Sequence, residues 1–306
     1  MLSILIVSYQ SRDMLAKCLD SLSANPPDCA WEIVVADNAS TDGSVELLRE
    51  RYPHIQLIIN RDNVGFARAA NQACAASKGE QVCFLNSDTE VEPGAMARMS
   101  ALLSDNSRVG AVGPQMRLLT GTPIFSAFRF PTLTRPLFDL AWVRGMIPTE
   151  KRKLVYEGWD FSAVREVDWI SGACLMTRRA LLDRVGLFDE RFFMYFEDVD
   201  LCLRIRRAGY SIYYLGDAVV VHRTRGSTAG TLTPTLFLTE QRSRLLFFIK
   251  HYGFWGGLVI RACMAAGALW RIAALVFRRS KRRAHNTLAV NLRIVREALF
   301  PVGAER

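Results

Sequence analysis

The sequence predicts an α/β domain with a mostly parallel central sheet and helices on its faces. Three observations carry that expectation. The unit of strand, polar loop and helix repeats three times between Leu2 and Gly79, and such alternation specifies parallel strands joined by helical crossovers. A fourth apolar run, Val82-Cys83-Phe84-Leu85, passes directly into Asn86-Ser87-Asp88 and is bounded by Gly79 and by Pro93-Gly94. Such a run reads as a buried strand. Half of the 306 residues are hydrophobic, enough for one large domain or one domain with an appendage.

The elements follow in order. Residues 2–8 read as a first strand ending in Ser8-Tyr9; the run is too short and lacks the basic flank of a secretory leader. Over 13–22, Leu15, Leu19 and Leu22 share one helical face and Asp13 suits the first turn. Asn25-Pro26-Pro27 then breaks the chain. A second strand over 31–36 ends in the polar run Asp37 to Ser44, within which a helix over 45–51 is capped. A third strand over 55–59 leads through Asn60 to Phe66 into an Ala-rich helix over 67–77. Beyond Asp88 the pattern gives a helix over 93–103 and a strand over 109–116. Residues 119–166, rich in Gly, Pro and aromatics, have no clear period and are expected to shape a substrate pocket. One strand is expected over 167–177, with Gly172 at its centre marking close approach of a ligand or another backbone. A short helix over 178–185 and a helix over 197–208, ended by Gly209, come next. Strands over 210–214 and 218–221 follow, the second delivering His222.

Parallel strands deliver their polar loops to one edge. Ser8-Tyr9, Asp37-Asn38, Asn63 to Gly65 and Asn86 to Asp88 therefore converge on one crevice, where open α/β sheets bind ligands. Asn86, Ser87 and Asp88 form a hard-oxygen cluster suited to Mg²⁺ or Mn²⁺ carried by a phosphate-bearing ligand; an Asp that caps the next turn is the bland alternative. No GxGxxG follows the first strand and no GxxxxGK[ST] occurs, which removes the main support for a dinucleotide fold or a P-loop ATPase. The aromatic run Phe192-Phe193-Met194-Tyr195-Phe196 is followed at once by Glu197, Asp198 and Asp200. Acids favour a first helical turn, and Asp200 can pair with Arg204 one turn on. An apolar wall beside Glu197 and Asp198 disfavours their charged forms, which is how a general base is tuned. His222, alone at a strand end, reads as structural or as a ligand.

The charge is unevenly placed. Residues 242–306 carry 13 Lys/Arg against 2 Asp/Glu, and residues 1–241 carry 26 against 28. The first 241 residues thus form an expected domain with no basic groove for nucleic acid, and 242–306 a basic, apolar helical segment. The apolar run from Leu258 to Phe277 contains Arg261 and Arg271 and meets the cluster Arg278-Arg279-Ser280-Lys281-Arg282-Arg283. Such a segment suits the interface of an anionic membrane leaflet; a membrane span or a homodimer-forming hairpin are the alternatives. The seven cysteines form no CxxC pair and sit mostly in apolar runs, as buried thiols of a reducing compartment do.

Six segments occur in a familiar order: Val7-Ser8-Tyr9, Asp37-Asn38-Ala39-Ser40-Thr41-Asp42-Gly43-Ser44, Asn63-Val64-Gly65-Phe66-Ala67, Leu85-Asn86-Ser87-Asp88, Gly172-Ala173-Cys174-Leu175-Met176 and Phe196 to Arg204. Over residues 2–225 the chain resembles the family 2 glycosyltransferases of the GT-A fold, in their rhamnosyltransferase-like branch. The resemblance implies an inverting transferase that uses a nucleotide-diphosphate sugar and a divalent metal, Mg²⁺ or Mn²⁺. It implies that Ser8, Tyr9, Asp37 and Asn38 line the nucleotide, with Asn63, Arg68, Asn86 and Ser87 near it. It implies Asp88 as the metal carboxylate with His222 assisting, Asp198 as catalytic base with Glu197 as its neighbour, and Trp169 and Gly172 near donor sugar and acceptor. The metal motif of the family is usually written Asp-x-Asp; Asn86 holds its first position here, which leaves one fewer anionic ligand. The resemblance further implies rhamnose from dTDP-rhamnose as the donor sugar. A glycan or lipid-linked acceptor, met by a chain held peripherally at the cytoplasmic face of the cell membrane, would make sense of the basic tail. The competing readings are a nucleotide-binding scaffold without activity and a sugar-phosphate nucleotidyltransferase. The latter is expected to carry a Gly-rich basic loop after the first strand, where Ser8-Tyr9-Gln10-Ser11-Arg12 stands instead.

Overall fold

A computed structural model describes residues 1–133, 159–223, 233–277 and 287–300. The chain forms two compact units: Met1–Phe130 with Val155–Phe193 and Glu197–Thr224, and Pro131–Leu154 with Met194–Phe196 and Arg225–Arg306.

The first unit opens with β1 (Leu2–Ser8), α1 (Arg12–Ala24), β2 (Trp31–Asp37), α2 (Ser44–Arg51), β3 (Gln56–Ile59), α3 (Phe66–Ala76) and β4 (Gln81–Asn86). It continues with β5 (Thr89–Val91), α4 (Ala95–Asp105), β6 (Val109–Arg117), β7 (Pro123–Ile124), β8 (Ala127–Phe128), β9 (Val164–Val167) and β10 (Trp169–Ile170). β11 (Cys174–Arg178), α5 (Arg179–Val185), α6 (Glu197–Arg207) and β12 (Ser211–His222) complete it. The sheet runs β3-β2-β1-β4-β11-β6-β12-β5, with β7 beside β6 and β9 beside β12; β10 and β8 form a separate pair. β1 pairs parallel with β2 and β4, β2 with β3, and β6 with β12, while β11 lies antiparallel between β4 and β6.

Both sheet faces are covered, so β1 runs apolar without alternation from Ile4 to Val7. Ile4 and Ile6 pack with Leu15, Leu19 and Leu22 of α1 and with Met96 and Met99 of α4. Leu5 and Phe84 face the other way, against Ala67, Ala70 and Ala73 of α3 and Leu201 and Ile205 of α6. Each such leucine or isoleucine contributes about 2 kcal/mol by leaving water. The small alanines of α3 fit that helix close to the sheet.

The structure departs from the sequence pattern in three places. The expected strand over 167–177 is broken: Trp169–Ile170 pairs with β8, Cys174–Arg178 joins the main sheet, and Ser171–Ala173 turns between them. The two strands expected over 210–221 are one strand, β12, whose register shifts between Leu215 and Val219; a bulge there mimics a break in the pattern. Residues 119–133 and 159–166 contain the short strands β7, β8 and part of β9, and the rest of the expected pocket-forming stretch, 134–158, lies outside the described residues.

In the second unit, α7 (Pro234–Phe277) bends at Gly253, whose φ of 66° and ψ of −157° are not helical. α8 (Leu288–Leu299) begins at Thr287, whose hydroxyl accepts the Val290 N–H at 3.3 Å. Arg242 donates twice to the Glu297 carboxylate, at 2.9 and 2.6 Å. Arg261 donates to the Glu297 and Ala298 carbonyls, and Arg271 to Asn291 Oδ1 at 2.7 Å. The two arginines inside the apolar run are thus turned to α8. Phe254, Trp255, Leu258, Leu269 and Trp270 remain exposed. By length and composition alone Pro234–Leu275 could cross a membrane. The basic cluster 278–283 lies outside the described residues.

Within α6, Asp200 is fully buried and takes a 2.9 Å bond from Arg204. Arg204 also donates to the carbonyls of Val185, Gly186 and Leu187, tying down the turn after α5. Arg204→Ala removes an ion pair from a buried carboxylate and takes the Arg204 donor from three carbonyls. The expected loss is about 3 kcal/mol of stability, read as a lower midpoint in urea unfolding; a midpoint unchanged from the parent would show that the pair is not structural.

Candidate functional site

The registers bring the polar strand ends together. Ser8 of β1 lies opposite Asp37 of β2, and Val7 opposite Asn86 of β4. The Asn38 N–H donates to the Ser8 carbonyl at 2.8 Å, and Ser11 Oγ bridges Ser8 Oγ at 3.2 Å and Ser87 Oγ at 3.0 Å. Asn38 donates to Asn63 Oδ1 and the Gly65 carbonyl, and Asn60 donates to Asn38 Oδ1 at 2.9 Å. Ser8, Asp37, Asn38, Asn63, Asn86 and Ser87 therefore lie together at the carboxyl ends of β1, β2 and β4. Tyr9 is half exposed beside Ser8. Arg68 stands apart from these bonds, 3.7 Å from Glu190 at an exposed position.

Asp37 is fully buried. Its Oδ1 accepts the Ser40 N–H at 2.8 Å, and its Oδ2 has no hydrogen-bond partner. A buried acceptor without a donor costs free energy unless a ligand supplies one. Among the described residues, the non-glycine positions with positive φ are Gln10 (51°), Ala39 (63°), Tyr195 (69°) and Phe196 (66°). Two of them follow the Tyr9 and Asn38 strand ends, and two precede Glu197; strained backbone gathers at functional sites. Nothing in the residue types of Gln10 and Ala39 signals this. Ser11 carries no such signal either, whereas Asn60 stands at the head of a visibly polar run.

Asp88 lies one turn past β4. Its carbonyl accepts the Arg223 N–H, and its Oδ1 is 3.1 Å from His222 Nε2, because β12 pairs His222 with Thr89. Both side chains keep some exposure, 22% for Asp88 and 13% for His222. Among the described residues no three His, Cys, Asp or Glu side chains gather as a metal cluster. An acid and an imidazole alone suit a hard divalent cation whose other positions are filled by phosphate oxygens and water.

Asn86 and Asp198 meet through one turn. The Asn86 N–H donates to the Ala173 carbonyl at 2.9 Å, and the Gly172 N–H donates to Asp198 Oδ2 at 2.8 Å. Asp198 Oδ1 accepts the Val199 N–H at 2.8 Å. A Cβ on residue 172 would lie 3.3 Å from Asp198 Cβ, so Gly172 permits this close approach. Trp169, just before the turn, stacks on Phe128 at 4.6 Å and donates its Nε1–H to the Arg129 carbonyl. Phe193 offers its carbonyl to the Phe66 N–H at 2.7 Å, and a Cβ on Gly65, where φ is +86°, would stand 2.5 Å from that oxygen.

The two acids differ. Asp198 is half-buried; burial pushes its carboxyl above the usual range, against the pull of the Gly172 and Val199 N–H groups. Glu197 is buried with Oε2 unpartnered, and burial and then the Asp198 charge push it well above the usual range. Glu197 is therefore the neutral member and Asp198 the member that ionises first.

A raised folded-state pKa adds stability below the unfolded pKa, and this is lost as pH rises through the folded pKa. Glu197→Gln keeps the shape of the neutral acid and removes that loss. Thermal unfolding of the variant should match the parent near pH 4 and exceed it increasingly toward pH 8; a difference that stayed constant over that range would contradict the assignment.

Comparison with known proteins gives a consistent result. The glycosyl transferase family 2 description matches residues 3–153. An N-acetylglucosaminyl-diphospho-decaprenol L-rhamnosyltransferase of Mycobacterium tuberculosis is 31% identical over 300 residues, 92% of this chain and 96% of that protein. The rhamnosyltransferase WbbL of Escherichia coli K12 is 27% identical over 72% of this chain and 83% of its own. Among solved structures, the mannosyltransferase PcManGT of Pyrobaculum calidifontis, in complex with GDP-Man and Mn²⁺, has a TM-score of 0.56 at 19% identity, covering 98% of this chain and 87% of that one. TarS of S. aureus with UDP-GlcNAc has a TM-score of 0.54 at 16% identity, covering 97% and 81%. The structural likenesses bear on the fold.

Proposed function

This chain belongs to glycosyl transferase family 2, and we propose that it moves rhamnose from dTDP-rhamnose, with inversion, to a hydroxyl of a lipid-linked glycan at a membrane surface. The observation that carries the catalytic part is the Asp198 carboxylate, half-buried, held by two backbone N–H groups and joined through one turn to the end of β4. The donor assignment rests on likeness to the two rhamnosyltransferases, and the lipid-linked acceptor on the name of the mycobacterial one.

In this reading the nucleoside lies against Ser8, Tyr9, Asp37 and Asn38, with Asn63 and Arg68 at its edge. The unpartnered Asp37 Oδ2 accepts from a hydroxyl or ring N–H of the nucleoside. Asn86 and Ser87 face the diphosphate. Asp88 and His222 would hold Mg²⁺ or Mn²⁺, which offsets charge on the leaving diphosphate. Trp169 and Gly172 border the sugar and the acceptor. Asp198 takes the proton of the acceptor hydroxyl as its oxygen bonds to the anomeric carbon and the bond to the diphosphate breaks. One carboxylate and one displacement give inversion. Glu197, neutral and behind Asp198, keeps that side of the site from gathering a second negative charge.

The second unit supports the membrane part. Trp255, Leu258 and Leu269 fall on one exposed face at helical spacing while Arg261 and Arg271 bond to α8, and residues 242–306 carry a net charge of +11. A one-sided apolar face with basic charge fits an anionic membrane surface.

Three outcomes test the reading. Asp198→Asn should lower transfer by at least about 10³-fold while dTDP still raises the melting temperature, and Glu197→Gln should keep most of the activity; near-normal turnover by Asp198→Asn removes the base. In a thermal-shift panel of UDP, dTDP, GDP and their sugars, metal-dependent stabilisation should be confined to dTDP compounds and be lost in Asp88→Ala; stabilisation by UDP or GDP compounds alone overturns the donor. Flotation with phosphatidylglycerol vesicles should recover the protein, and Phe254→Ser/Trp255→Ser should sink; equal recovery of both removes the membrane face.

A further inference from the structure

Three serine hydroxyls stand in a row between the ends of β1 and β4. Ser11 Oγ donates to Ser87 Oγ at 3.0 Å and lies 3.2 Å from Ser8 Oγ. A hydroxyl has one hydrogen to give. Ser11 gives its own to Ser87, so the bond between Ser8 and Ser11 is donated by Ser8. The three O–H groups therefore point one way, from Ser8 through Ser11 to Ser87. The inner two residues are buried, at 0% and 6% exposure, and Ser87, half-buried, is the outer end. Its oxygen accepts from Ser11, which leaves its own hydrogen to donate outward.

Ser11 is diverted to this row from another task. It is the N-cap of α1, where a serine hydroxyl ordinarily accepts a backbone N–H of the first turn, yet its side chain makes no capping bond. The Arg12 N–H goes to Asp42 Oδ2 at 2.9 Å instead. Gln10, just before it, is in left-handed backbone, φ 51°, with its N–H on Ser40 Oγ at 3.0 Å. Such backbone persists where the surroundings over-determine it. The turn that carries Ser87 is fixed separately: the Asn86 carbonyl accepts the Thr89 hydroxyl at 2.7 Å and the Cys18 thiol at 3.7 Å. With that main chain held, the freedom left to Ser87 is rotation of its side chain, and Ser11 sets it.

We infer that Ser11 is a positioning residue for the transfer reaction: its hydroxyl, ordered by that of Ser8, turns the Ser87 O–H outward as a donor to an oxygen of the diphosphate. This relay deepens the transferase reading and rests on it. A diphosphate oxygen is an acceptor only, so a freely rotating serine would offer it a lone pair part of the time. A hydroxyl whose hydrogen is already aimed needs no reorientation when the anion arrives, and a hydrogen bond to an ionised oxygen is stronger than one between neutral groups. With alanine at 11 the same Ser87 atoms would still face the ligand, but their order would be lost.

The test uses the full chain, the variants Ser11→Ala and Ser87→Ala, and their double. Calorimetric titrations with dTDP, UDP and GDP, each with Mg²⁺, are compared on whichever of the three the parent binds. Each single variant should weaken binding by about tenfold, as loss of one hydrogen bond to an ionised oxygen does. In the Ser87→Ala background, Ser11→Ala should change the affinity by less than about twofold, because its target is gone. Single-variant factors that multiply in the double, or a Ser11→Ala protein that binds as tightly as the parent, would overturn the relay. Urea unfolding of the same four proteins without nucleotide measures the Ser11–Ser87 bond by itself. There too the two single losses should fail to add, and additive losses would overturn the relay. A parent that binds none of the three nucleoside diphosphates would sink the transferase reading instead, and the urea series would still decide whether Ser11 orders Ser87.

Discussion

The site depends on one backbone hydrogen bond, from the Gly172 N–H to Asp198 Oδ2 at 2.8 Å. The turn that makes it also accepts the Asn86 N–H through the Ala173 carbonyl. Two regions that the proposed reaction must keep at a fixed spacing, the diphosphate end of β4 and the base on α6, are therefore tied to the same three residues. The turn is placed in its own right by β11, which enters antiparallel between β4 and β6 and starts at Cys174. Rigid main chain on both sides leaves little freedom for the carboxylate, which is the preorganisation that general base catalysis requires.

Three acids in the first turn of α6 meet three environments. The helix N-terminus favours negative charge there, yet burial works against it to a different degree at each position. Asp200 is fully buried and takes its bond from Arg204, and so belongs to the structure. Glu197 is buried without such a partner and is held neutral. Asp198 keeps a path to solvent and two N–H donors. Separation of neighbouring carboxylates by environment is the general route to one acid that stays protonated and one that works as a base.

Much of this was legible in the sequence because burial on both faces writes continuous apolar runs, and loops at one edge write polar clusters. β1, β2, β4 and the converging ends Ser8, Asp37 and Asn86 follow from that alone. Strand direction does not: β11 has the same composition as a parallel strand, and its antiparallel insertion is set by the crossovers before it. The break at Ser171–Ala173 was hidden because small apolar residues suit a strand and a turn alike, although Gly172 did mark close approach. The bulge in β12 looked like two strands because a register shift interrupts the period. The left-handed residues Gln10, Ala39, Tyr195 and Phe196 carry no local signal; Gln10 and Phe196 meet partners distant in sequence, Ser40 and Phe247.

The central claim is that a single carboxylate, Asp198, acts from the side of the anomeric carbon opposite the diphosphate. The stereochemistry of the new bond reports on this directly. Proton NMR of the sugar product, recorded during the first turnovers with dTDP-rhamnose as donor, should show the anomeric configuration opposite to that of the donor. A product with the donor's own configuration would require a second displacement and a second nucleophile, and would contradict the account.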